Sequence, residues 1–119
     1  ITKIGLIDGL LMDGEALQDD VIIIAEIWDQ EEEFRTVIAN VYDAIVKLNI
    51  GKVKGTQLSY NHRDWLSYHF QSIRGQGNEA DMRAEYKKAI EEIAVIEVRG
   101  FGHRHLPMDF YKRIARDRK

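Results

Sequence analysis

The stretch from about Gln30 to Leu48 constrains the fold of this chain more than any other. Phe34, Val37, Ile38, Val41, Ile45 and Leu48 recur there at three- and four-residue steps, which places them on one helix face and demands an apolar layer opposite. Glu31 with Arg35, and Asp43 with Lys47, make exposed i,i+4 pairs. Asp29 and Glu32 have the spacing of a capping box, and Asn49 with Gly51 ends the segment. A chain of 119 residues is long enough to close one core around such a helix, so one domain covering residues 1–119 is expected.

The rest of the chain reads as a mainly α domain of about five helices. A single proline, Pro107, leaves few of the turn signals that a β sandwich uses. A short helix is expected around Ile7 to Met12, stopped by Asp13-Gly14. Asp19 and Asp20 precede Val21 to Trp28, which reads as a second helix. A buried strand competes there, because Val21, Ile22, Ile23 and Ile24 are all β-branched. Asn61 would cap a helix to about Ile73, with His62, Leu66, His69 and Ile73 on one face. Asn78 would cap another from Glu79 to about Ala94, with Met82, Tyr86, Ile90 and Ile93 inward and Lys87–Glu91 and Lys88–Glu92 pairs behind. Val95 to Val98 either prolongs that helix or forms a short strand, and Gly100 and Gly102 stop either one. Strands at both 21–28 and 95–99 would make the fold α+β. Pro107 suits the first turn of a last helix through Arg118, docked by Phe110, Tyr111 and Ile114.

Charge is sorted by position. Residues 1–50 hold eleven carboxylates against Lys3, Arg35 and Lys47, whereas from Arg99 onward seven basic residues face only Asp109 and Asp117. Lys112, Arg116 and Lys119 fall on one stripe of the last helix, and with Arg99, Arg104 and Arg113 they form the candidate nucleic-acid-binding set. The acidic half suits a protein partner or the basic end of a second copy. The absence of cysteine removes disulfides, thiolate catalysis and cysteine zinc sites, and it fits a cytoplasmic setting. The longest apolar run, Val21 to Ala25, is too short to span a bilayer and no leader opens the chain, so no membrane partner is expected. Because the chain begins at Ile1 and not Met, a missing or processed segment ahead of it stays open.

Few residue patterns point to chemistry. The four histidines, His62, His69, His103 and His105, are potential imidazole ligands, but nothing in their spacing joins them, so no metal site is expected. His103-Arg104-His105 and Tyr111 depart from the His-hydrophobe-His and Tyr pattern of rolling-circle replication nucleases, because the middle residue is charged and the tyrosine follows closely. Glu31-Glu32-Glu33 fits the positive end of a helix dipole. Gly75-Gln76-Gly77-Asn78 leads into a helix start that would accept an anion. No glycine-rich phosphate loop is present and no cofactor is expected. Arg63-Asp-Trp-Leu-Ser-Tyr-His69 resembles the Arg and His spacing of the helical ribonucleases of the HEPN family. That resemblance implies His69 in acid/base work at an RNA phosphate and Arg63 on the developing charge.

These observations rank three functions. The first is a non-enzymatic, nucleic-acid-associated protein that binds through its basic C-terminal region and possesses the charge distribution for self-assembly. The second is an acidic protein-interaction factor, such as an assembly chaperone, adaptor or inhibitor. The third is a small ribonuclease using Arg63 and His69.

Overall fold

A computed structural model describes residues 3–75, 77, 79–88 and 95–118, and among these residues three helices pack with a five-stranded mixed sheet. A 3-10 turn at Lys3–Leu6 leads to β1 (Leu10–Leu11), α1 (Gly14–Ile27), α2 (Glu31–Asn49) and β2 (Thr56–Gln57). A second 3-10 turn at Tyr60–His62 precedes β3 (Leu66–Phe70), β4 (Met82–Lys88), β5 (Ile96–His103) and α3 (Phe110–Asp117). The strand order is β1-β5-β4-β3-β2. β1 runs parallel to β5, and the other pairs are antiparallel. The fold is therefore α+β and not the mainly α bundle of about five helices that periodicity suggests.

α2 follows its sequence pattern, whereas α1 begins before the expected start at Val21 and contains Asp19 and Asp20, the expected caps. Val37, Val41, Ala44, Ile45 and Leu48 of α2 are buried, and the Glu31–Arg35 and Asp43–Lys47 pairs form at 2.5 and 2.8 Å. The capping box does not form: Gln30 occupies the N-cap position and makes no side-chain cap bond. At the other end Gly51 adopts φ 78°, and Gly51 N and Lys52 N donate to Leu48 O and Lys47 O. This is the paired-bond stop that glycine permits without a Cβ clash. The β-branched run Val21 to Ile24 is helical, inside α1. Asp13-Gly14 starts that helix instead of stopping an earlier one, because the Asp13 carboxylate accepts from Ala16 N at 3.0 Å. The expected helix at Ile7 to Met12 is a loop and β1. No helix among the described residues is long and apolar enough to cross a membrane.

Two expected helices are strands. Asn61 to Ile73 holds β3, and Glu79 to Lys88 holds β4, while Ile90, Glu91, Glu92 and Ile93 of the second expectation lie outside the described residues. Lys87 reaches Glu97 across the ladder at 3.8 Å. Val95 to Val98 resolves toward strand, and Gly100 and Gly102 continue β5 rather than ending it. Pro107 precedes the last helix; α3 begins at Phe110 with Asp109 as its cap, accepting from Lys112 N at 3.0 Å.

The sheet has one apolar and one polar face. Phe70, Met82, Ala84, Tyr86, Val98 and Phe101 pack beneath Ile24 of α1 and the buried stripe of α2. The opposite face carries Ser67, His69, Arg83 and Glu85, in cross-strand pairs Ser67↔Glu85 and His69↔Arg83. A register shift sets Glu85 opposite Gly100 and Tyr86 opposite Val98, so Arg99 is the extra residue of a bulge. The bulge turns Arg99 and Gly100 toward the polar face. α3 lies against part of that face, where a Cβ at Gly100 would collide with the Ile114 side chain.

Candidate functional site

The polar face left beside α3 is the candidate site. His69 sits there, exposed, because residues of β3 alternate sides and Tyr68 and Phe70 take the apolar one. Its cross-strand neighbour is Arg83. Arg83 Nη1 donates to the Ala80 and Met82 carbonyls, its Nε is buried without a hydrogen-bond partner, and among the described residues it meets no carboxylate. Arg104, just past β5, donates its backbone N–H to Asp81 O at 2.8 Å. Its guanidinium pairs with Asp109 and lies 4.9 Å from the Tyr111 ring centre. The Tyr111 hydroxyl is 2.7 Å from Ser67 Oγ, two residues along β3 from His69. One imidazole, two guanidinium groups and one phenol thus share a single face.

The electrostatics make that imidazole a base. Partial desolvation, followed by the charges of Arg83 and Arg104, holds His69 below the usual histidine pKa, so the ring is neutral at neutral pH. Beneath Tyr111, the fully buried Glu85 carboxylate accepts from His62 Nδ1 at 2.9 Å and from Arg99 Nη1 at 2.8 Å. The His62 ring meets the Tyr111 ring edge-on at 5.7 Å. This group supports the phenol from behind and balances the charge of Arg99 in place.

At the rim, His103 Nδ1 accepts from both His105 N and Leu106 N, at 3.0 and 3.1 Å. These bonds fold the segment that carries Arg104. Its Nε2 is 3.9 Å from Asp81. Burial lowers the His103 pKa, opposed by Asp81 and reinforced by His105 and Arg83.

The residues chosen from sequence for nucleic-acid contact are dispersed. Arg99 is engaged by Glu85 and by the Arg118 carbonyl. Arg113 is buried against Asp20 at 2.7 Å. Arg116 is exposed and pairs with its neighbour Asp117. Lys112 is exposed on the outside of α3, and Lys119 lies outside the described residues. Among the described residues of this set, Arg99 and Arg104 reach the polar face, but Arg99 is held by Glu85 and Arg104 is the one whose charge acts on His69. Arg63 is exposed in the turn before β3, so the Arg63 and His69 pair does not share a helix as the HEPN resemblance implies. The four histidines divide between the Glu85 group, the open face and the rim, and among the described residues no group of three or more His, Cys, Asp or Glu side chains could hold a metal. The Gly75 to Asn78 segment includes Gln76 and Asn78, which lie outside the described residues.

Arg83 is the site residue that sequence reading missed. Its signal was the alternation Met82, Ala84, Tyr86, which sets Arg83 and Glu85 together on the other side of a strand. Comparison of the chain with protein-family models, with curated proteins and with solved structures finds no match.

Proposed function

We propose that this protein binds RNA across the polar face of its sheet and cleaves it there. The observation that carries the reading is the convergence of His69, Arg83 and Arg104 on one open face, with the imidazole kept neutral and Arg83 bonded to backbone carbonyls and, among the described residues, to no carboxylate. Guanidinium groups recognise phosphate through charge-assisted hydrogen bonds. A neutral imidazole on the same face suits proton transfer at the phosphodiester. RNA brings its own nucleophile. In the proposed step His69 takes the proton of a 2′-hydroxyl as that oxygen bonds to phosphorus. The bond from phosphorus to the 5′-oxygen then breaks, the departing oxygen takes a proton from water, and the hydroxide left takes the proton from His69, which restores the neutral imidazole. A 2′,3′-cyclic phosphate and a 5′-hydroxyl result. Arg83 and Arg104 stabilise the charge that builds on the non-bridging oxygens.

This reading keeps nucleic acid as the partner class, departs from the non-enzymatic expectation, and takes His69 as a catalytic group from the third-ranked ribonuclease alternative. It moves the contact surface from the basic helix to the sheet and replaces Arg63 by Arg83 and Arg104. The test is incubation of end-labelled single-stranded RNA with the wild-type protein and with His69→Ala. Fragments ending in cyclic phosphate are expected from the wild type, with the variant slower by about 10²–10⁴-fold, the usual worth of a positioned acid/base group. RNA left intact by the wild type, or cut equally by both, would overturn it.

A further inference from the structure

Tyr60 is 91% exposed, more than any other large apolar side chain among the described residues. It also holds φ 54°, the left-handed region that a non-glycine residue with a bulky ring enters at a conformational cost. Such a cost persists where the surroundings over-determine the backbone, and here they do. His62 N donates to Ser59 O and Arg63 N to Tyr60 O, while Trp65 N donates to His62 O and Leu58 N to Trp65 O. The Gln57 amide reaches the Leu58, Arg63 and Trp65 carbonyls from outside, at 3.3, 2.5 and 3.2 Å. Arg99 donates to Asn61 O. The turn is therefore a rigid mount that directs an aromatic ring into solvent.

The mount also abuts the candidate site. His62, two residues on, is fixed by Glu85 and meets the edge of the Tyr111 ring, and Tyr111 touches Ser67 on the strand that carries His69. Arg63, the next residue, is exposed in the same turn. An exposed aromatic ring in a turn joined to a phosphate-binding surface has the make-up of a base-stacking platform. Every base has a π-face, so such a ring accepts any unpaired base but has no purchase on bases already stacked in a duplex.

We infer that Tyr60 stacks on an unpaired base of the bound RNA beside the cleaved bond, which makes single-stranded RNA the substrate. The inference rests on the RNA reading of the polar face. Stacking adds affinity and carries no charge, so it separates cleanly from the phosphate contacts.

The experiment is fluorescence anisotropy with a labelled single-stranded RNA carrying 2′-O-methyl groups, which cannot be cleaved, and with its duplex. Binding is compared for the wild type, Tyr60→Ala and Tyr60→Phe at two salt concentrations. Tyr60→Ala is expected to weaken single-strand binding about tenfold with the same salt slope and to leave duplex binding unchanged. Tyr60→Phe keeps the ring and should bind like the wild type. Wild-type affinity in Tyr60→Ala would overturn the stacking role alone, as would a Tyr60→Phe defect equal to that of Tyr60→Ala. Absence of any binding by the wild type would overturn the RNA reading and this inference with it.

Discussion

Asp20 lies within α1, fully buried, and its carboxylate accepts the Phe101 N–H at 3.0 Å. β1 pairs with β5 only at Ile96 and Glu97, so beyond it a side chain closes the sheet edge in place of a strand. Arg113 completes the closure by pairing with Asp20 and donating to Phe101 O at 3.2 Å, and Arg118 adds a second ion pair at 2.5 Å. Burial pushes the Asp20 pKa up while the two guanidinium groups oppose it. Asp20→Ala would leave Arg113 buried with its charge uncompensated, so urea denaturation should show a loss of about 3–5 kcal/mol. A loss under about 1 kcal/mol would contradict this account of the edge. His103 sets a pH dependence of known sign. Its folded pKa, like that of His69, is lowered from 6.5, so the unfolded chain binds the proton more readily. Stability should therefore be full above the ordinary histidine range and fall as pH drops through it toward the folded value. Thermal melts at pH 7.5 and 5.5 should show the lower midpoint at 5.5. His103→Asn, which retains an acceptor for the two backbone donors, should shrink the difference.

The strands are where sequence and structure part. Met82 and Tyr86 stand four apart, as do Leu66 and Phe70, and that step satisfies a helix as well as every second position of a strand. The intervening Tyr68 and Ala84 complete the alternation, whereas Lys87 and Lys88 suggested the solvated back of a helix. α2 was legible because six apolar positions over 19 residues admit one period. The site was legible only in part. His69 and Arg104 stood out as residue types, but their meeting depends on a strand register and on α3 docking, which no local pattern encodes. The bulge at Arg99 and Gly100 is the device that lets α3 dock. Gly100→Ala should displace Ile114 and cost about 1–3 kcal/mol, with faster amide exchange in α3 than in α2. An unchanged melt with unchanged α3 exchange would show that the close approach is not needed.

Over the whole molecule, the cations of the basic end are largely occupied by carboxylates. Arg99, Arg104, Arg113, Arg116 and Arg118 each meet a carboxylate, and two of them meet Asp20 from the acidic half. Asp20 thus joins the acidic half to the basic end, and Arg99 and Arg113 of the expected external patch are engaged by Glu85 and Asp20 instead. Arg83, from the neutral middle of the sequence, meets no carboxylate among the described residues and donates to backbone carbonyls. The central claim is accordingly one of place: RNA meets the sheet face and not the outer stripe of α3. Its most direct test measures the affinity of non-cleavable single-stranded RNA for Arg83→Ala and for the double variant Lys112→Ala/Arg116→Ala, over a range of salt. The account predicts that Arg83→Ala binds at least about tenfold more weakly and reduces the salt slope by about 0.7, the share of one phosphate contact on a single strand, while the double variant stays close to the wild type. The reverse, with Arg83→Ala intact and the double variant impaired, would contradict it and return the contact to the helix.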